Sequence, residues 1–215
     1  ASDNWPQFRG PAGQGHSDAK GVPLHWSEKE NVKWKVSIPG EGWSSPVILN
    51  NQIWMTTALD QGKSLHAICV DQATGKLLHN VKIFSIEKPG YKNPLNSYAS
   101  PSPVIEPGRV YVHFGTKGTA CLSTKTGEVL WRNQELLLDH EEGAGSSPAL
   151  FKDKLIIPCD GTNVQYLACL DKSSGKLVWK APREKKLDPS PQRRKAFSTP
   201  LFIEVNGQSQ VITPA

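Results

Sequence analysis

"ACLSTKTGEVLWR" at 120–132 and "ACLDKSSGKLVWK" at 168–180 are two spellings of one instruction. Each runs Ala-Cys-Leu, a polar turn closing on Gly, a charged residue, two apolar residues and Trp. A third copy, "AICVDQATGKLLHN" at 67–80, falls into register when the turn glycines Gly75, Gly127 and Gly175 are aligned. Six residues before each glycine stands a cysteine: Cys69, Cys121 and Cys169. Four before come Asp71, Ser123 and Asp171, and four after come His79, Trp131 and Trp179.

A second signal alternates with the first. "SSPVIL" (44–49), "PSPVIE" (101–106), "SSPALF" (146–151) and "STPLFI" (198–203) each set a proline before an apolar run. The prolines lie 57, 45 and 52 residues apart, and the glycines 52 and 48. A recurring unit of about fifty residues with four short apolar runs is the pattern of a β-propeller blade. Each unit reads as an inner Pro-led strand and a second strand (52–58, 109–115, 154–160). A third strand ends near the cysteine (64–70, 118–122, 165–170), and an outer strand follows the turn (76–83, 128–133, 176–181). Asp or Ser opens that turn because its side chain bonds the following backbone, and Gly supplies the positive φ.

The fold class is therefore all-β, a propeller of four-stranded antiparallel blades. The units are an N-terminal arm (1–30), an outer strand at 31–38 with Trp34 in the tryptophan column, blades at 44–84, 101–133 and 146–181, and a part-blade at 198–215. Three complete blades and two part-blades do not close a ring. The expectation is seven or eight blades, with the remainder supplied by sequence after Ala215 or by another chain.

These columns resemble the pyrroloquinoline-quinone-like propeller repeat, shared by quinoprotein dehydrogenases and BamB-like lipoproteins of periplasmic outer-membrane assembly. The resemblance covers about 31–215 and implies that each Trp lies against the neighbouring blade over a small residue and a Gly. On that basis Trp34, Trp131, Trp179, Gly75, Gly127, Gly175, Cys69, Cys121 and Cys169 are docking residues. His79 and Ser123 depart from the pattern, so the first blade junction is expected to be the looser. The arm "NWPQFRGPAGQGHS" looks like the start of secreted bacterial propellers of this type. This resemblance, with a small residue at position 1, implies a periplasmic or secreted chain.

The composition fits an ordinary globular protein. Its 215 residues carry 25 basic and 20 acidic side chains, a net charge of +5, with 37% hydrophobic residues. No run approaches the eighteen apolar residues of a membrane span. Three of the four cysteines occupy one column of successive blades, too far apart to bridge. The fourth, Cys159, faces about Tyr166 across a hairpin, so the expectation is free, buried thiols rather than a disulfide.

Resemblance to the dehydrogenases would imply a bound quinone, a stacking Trp, a vicinal cysteine pair and Ca²⁺ ligands near a catalytic Asp. No two cysteines are adjacent here, and Asp71 and Asp171 are explained as turn residues. No catalytic or metal constellation emerges. "DHEEG" (139–143) reads as a solvated loop rather than a cation site, and Trp5 and Trp26 as pins for the arm.

What remains is surface. The outer-to-inner connections 84–100, 134–145 and 182–197 are long and share one face, where long loops commonly carry binding. The last holds Arg183, Lys185, Lys186, Arg193, Arg194 and Lys195, the candidate contacts for a protein or polyanionic partner, opposite the acidic stretch 133–143. The function expected is a non-enzymatic extracytoplasmic binding or scaffold module without cofactor. A quinone- and calcium-dependent dehydrogenase and the sensor domain of a larger membrane protein are the alternatives. Sequence-specific nucleic-acid binding is not expected, since the basic residues are not interleaved with aromatics.

Overall fold

A computed structural model describes residues 4–183 and 188–214. It contains three four-stranded antiparallel blades and one two-stranded part-blade. The first blade is β1 (Val47–Leu49), β2 (Gln52–Leu59), β3 (Ser64–Asp71) and β4 (Leu77–Ser85). The second is β5 (Val104–Glu106), β6 (Arg109–His113), β7 (Thr119–Ser123) and β8 (Val129–Asn133). The third is β9 (Ala149–Phe151), β10 (Lys154–Asp160), β11 (Gln165–Asp171) and β12 (Leu177–Pro182). The part-blade pairs β13 (Leu201–Val205) with β14 (Gln208–Ile212).

The repeated turn has one geometry in all three copies. The N–H of Gly75, Gly127 and Gly175 donates to the backbone oxygen of Asp71, Ser123 and Asp171, at 2.8–2.9 Å. The opening side chain accepts as well: Asp71 Oδ1 from Thr74 N–H, Ser123 Oγ from Thr126 N–H, Asp171 Oδ1 from Ser174 N–H. The glycines take φ of +71° to +74°, open to Gly at little cost. The hydroxyls of Ser173 and Ser174 hold the Asp171 carboxyl well below the usual carboxylate range, and the Thr74 hydroxyl does the same for Asp71.

Register then sets one row of side chains across each blade: Val47–Trp54–Cys69–His79, Val104–Tyr111–Cys121–Trp131 and Ala149–Ile156–Cys169–Trp179. Immediately after each cysteine the pairing slips by one residue, leaving Leu78, Leu130 or Val178 unmatched. The same bulge recurs in all three four-stranded blades, at the residue directly before His79, Trp131 or Trp179. The rows pack against the opposite face of the next blade. Trp54 and Cys69 cluster with Val110 and Leu122; Tyr111 and Cys121 cluster with Leu155 and Ile157; Ile156 and Cys169 meet Phe202.

Around the axis runs a second inter-blade contact. Ser45 N–H donates to Ser102 Oγ (2.9 Å), Ser102 N–H to Ser147 Oγ (2.9 Å), and Ser147 N–H to Thr199 Oγ1 (3.2 Å). These are the residues immediately before the four repeated prolines, so one Ser/Thr-Pro dipeptide per blade builds a belt from inner strand to inner strand. Ser102→Ala leaves the Ser45 N–H without its acceptor, and is expected to lower unfolding stability by about 1–2 kcal/mol in a urea titration. A loss indistinguishable from zero would remove the belt as a stabilising element.

Three expectations need adjustment. Segment 31–38 forms no strand, because no third strand of another blade lies beside it among the described residues; a strand exists only with a ladder partner. The arm does not stand apart as a unit of 1–30. Trp5 exchanges two backbone bonds with Ile48, and Pro6 O accepts from Ile105 N–H, so the arm pairs with the inner strands β1 and β5. Trp26, read as a pin, is 71% exposed and pins nothing.

Candidate functional site

The docking column behaves as one device. A Cβ on Gly75 would stand 2.6 Å from the Trp34 ring, and one on Gly127 2.8 Å from His79; a Cβ on Gly175 would enter the Trp131 ring. Each ring therefore covers the turn glycine of the following blade, and only a hydrogen fits beneath it. Trp34 Nε1–H donates to Gln72 O and Trp131 Nε1–H to Lys172 O, both at 3.0 Å. Trp179, in the same column, is 39% exposed.

The junction with His79 keeps its satisfied carbonyl by another route. Thr124 O, which corresponds to Gln72 O and Lys172 O, accepts from Gln52 Nε2 (2.9 Å). Gln52 Oε1 takes the Trp54 indole N–H (3.1 Å), and Trp54 stacks on His79 with ring centroids 5.6 Å apart. The expected looseness has this compensation built in. Sequence reading missed it because Gln52 belongs to no repeated column.

Cys69, Cys121, Cys159 and Cys169 are all free and buried, and Cys159 faces Tyr166 in the ladder. Burial pushes the thiols of Cys69, Cys121 and Cys159 up to about 12, which keeps them protonated and inert at neutral pH. They pack as small apolar groups.

On the loop face, the connections between blades are tied to one another. Asn93 Nδ2–H donates to Glu142 Oε2 (2.7 Å), and Asn96 Nδ2–H to Glu142 O and Ala144 O. Lys195 forms ion pairs with Glu141 (2.8 Å) and Glu142 (3.5 Å) while only 7% of its side chain is exposed. "DHEEG" is thus not a free solvated loop. It is the hub where three connections meet, and the Lys195 ammonium holds the Glu141 carboxyl below its ordinary range. Among the described residues no group of three or more His, Cys, Asp or Glu side chains is placed to hold a metal ion.

The basic candidates divide. Arg183 makes a bidentate pair with the buried Asp160 (3.0 and 2.6 Å) and donates to Thr213 O, so it works inside the protein. Lys195 is committed to the acidic hub. Arg194 donates to the Asp188 and Pro189 carbonyls, and Arg193 is exposed with Asp188 at 3.9 Å. Lys185 and Lys186 lie outside the described residues. Opposite charge on successive connections ties them together; sequence alone read it as two separate sectors.

What the loop face presents instead is apolar. Trp43, Tyr91, Leu95, Leu137 and Phe197 are exposed, Tyr91 by 69% and Leu95 by 90%. A cavity of about 310 Å³ opens among them between the first two connections, lined by Tyr91, Tyr98, Phe114, Lys117, Leu138 and His140. Burial lowers His140 to about 4 and the fully enclosed His113, which contacts Thr119 Oγ1, to about 3; both rings are neutral at pH 7.

Among the described residues the cysteines and aspartates that the resemblance would assign to a quinone site have other places. The four thiols are free and buried, and no two of them are adjacent in the chain. Asp71 and Asp171 are bound into the outer-strand turns, and the arm occupies the edges of β1 and β5.

The model of a family described as "Outer membrane protein assembly factor BamB" matches residues 24–134 and 116–201. Among solved structures, BamB from Moraxella catarrhalis is 17% identical with a TM-score of 0.58, covering 81% of this chain and 48% of its own. Two quinohemoprotein alcohol dehydrogenases share the fold. The one from Pseudomonas putida HK5 is 14% identical (TM-score 0.54, 79% of this chain, 28% of its own). The one from Comamonas testosteroni is 19% identical (TM-score 0.50, 66% and 21%). The chain spans less than half the length of each of these three structures. No curated protein sequence matches it. No helix of the described residues is long and apolar enough to cross a membrane.

Proposed function

The chain belongs to the family of the outer membrane protein assembly factor BamB, and from that premise we propose that it is a non-enzymatic, extracytoplasmic binding module that docks a protein on its connecting-loop face. One observation carries this reading: the connections bear exposed large apolar side chains, and the Glu141–Glu142 hub fastens those connections to each other. Aromatic and aliphatic anchors on a preorganised surface are what a protein interface uses, because little entropy is lost when they are covered. A basic surface for a polyanion has less support, since Arg183 and Lys195 are consumed internally. The extracytoplasmic setting rests on the family and on the arm.

Photo-crosslinking amino acids placed at Tyr91 and Leu95, with Leu130 on an outer strand as control, test the reading in cells. The expected result is one discrete adduct from the loop positions and none from Leu130, with Trp43→Ala plus Tyr91→Ala lowering the yield from the Leu95 position at least tenfold. Equal labelling at all three positions would overturn it. Dye reduction by the protein supplied with pyrroloquinoline quinone and Ca²⁺ would instead favour the dehydrogenase alternative.

A further inference from the structure

The cavity on the loop face holds a lysine that forms no ion pair among the described residues. Lys117 lines it from the β6–β7 turn. Its ammonium reaches one acceptor, Lys88 O at 3.5 Å, and a Cβ on Gly90, another wall residue, would lie 3.9 Å away. No carboxylate of the described residues forms an ion pair with it. Burial alone, with no anion acting, pulls Lys117 below the ordinary lysine range.

His140 lines the same space. His140 Nε2 accepts the Thr116 N–H at 3.2 Å, which in a neutral ring places the proton on Nδ1. No hydrogen-bond acceptor among the described residues takes that N–H. Apolar surface comes from Phe114, Leu138 and the rings of Tyr91 and Tyr98, the Tyr98 hydroxyl being bonded to Gly90 O (2.7 Å), and Ser97 and Thr116 add polar atoms. Two lining carboxylates bear on the balance. Glu141 is engaged by Lys195, and exposed Asp139 accepts the Glu141 N–H at 3.1 Å. A half-buried cation and a neutral N–H donor above an aromatic floor select an anion with an apolar body. At about 310 Å³ the space suits side-chain-sized groups rather than a large cofactor.

Resting on the partner-docking reading of the loop face, we propose that this cavity receives a carboxylate side chain of the protein partner, carried next to an apolar residue, with Lys117 as its counter-ion and His140 Nδ1–H as its second donor. The carboxylate completes the pairing that the fold leaves open at Lys117, and the adjacent apolar side chain covers Tyr91 and Phe114. The proposal gives the partner a chemistry, an acidic-apolar segment rather than a basic one.

The test is an NMR titration of the whole chain with the blocked peptide Ac-Gly-Phe-Glu-Gly-NH₂, its glutamine analogue, and free 3-phenylpropionate. The expected result is perturbation of the Lys117 ε-ammonium and His140 ring signals by the glutamate peptide, with the glutamine analogue at least tenfold weaker. Lys117→Gln should erase that preference and Lys117→Arg should keep most of it. Equal binding of the two peptides, or perturbations confined to residues outside the cavity, would overturn the proposal. Binding of 3-phenylpropionate with neither peptide would also overturn it, in favour of a small-molecule site. Failure here with a discrete Tyr91 adduct intact would sink the carboxylate assignment and leave the docking face standing.

Discussion

Trp131→Ala is expected to cost the protein about 3–5 kcal/mol, while Trp179→Ala, in the same column of the repeat, costs under about 1 kcal/mol. The two indoles differ in what surrounds them. Trp131 is 9% exposed, covers Gly175, donates to Lys172 O and tilts against Tyr111 at 6.0 Å between centroids. Its removal opens a void between two blades and takes from Lys172 O the shorter of its two bonds, leaving the one from Arg109 at 3.3 Å. Trp179 has no following turn glycine among the described residues, so truncation exposes little that was covered. Urea unfolding of the two variants against the parent chain measures the difference. Equal losses would mean that the indoles stabilise their own blades, and that covering the next glycine adds nothing.

Arg183→Ala is expected to destabilise by about 3 kcal/mol, an effect unlike that of a surface basic residue. Asp160 keeps its carboxylate fully out of solvent, and Arg183 supplies both of its charge-assisted bonds while also donating to Thr213 O and Thr213 Oγ1. Removing the guanidinium leaves a buried anion unpaired and frees β14 from the end of β12. Adding Asp160→Asn removes the stranded charge, so the double variant should recover part of the loss, and denaturant midpoints of both should show it. A single variant within about 0.5 kcal/mol of the parent, the usual range for an exposed site, would return Arg183 to the pool of partner contacts. Arg193→Ala is the natural control, being exposed and held only by a long contact to Asp188.

These contrasts show where sequence reading stopped. The hairpin turns were legible because Asp71, Ser123 and Asp171 act on backbone three and four residues away, within a single stretch of chain. The blade register was legible for the same reason: alternation and turn length fix a hairpin locally, and Cys159 met Tyr166 as counted. The bulge after each cysteine was not legible, because no residue type marks it; Leu78, Leu130 and Val178 read as ordinary strand residues. The belt of Ser102, Ser147 and Thr199 was written before every proline, yet a hydroxyl beside proline has many uses until a neighbour's N–H is placed against it.

The loop face shows the same limit more sharply. Charge counts separate the acidic stretch 133–143 from the basic stretch 182–196, but a count carries no distance. Lys195 and Glu141 are 54 residues apart and become an ion pair only because consecutive blades bring their connections side by side. By itself the sequence determined the repeat, the four-stranded unit and the turn chemistry, all set by contacts within one blade; the docking column came from the resemblance to a known repeat. Only the tertiary structure decided which ring covers which glycine, which cations are used up, and that Lys117 is left facing an aromatic cavity. Those outcomes depend on the packing of separate blades, and no local spacing encodes it.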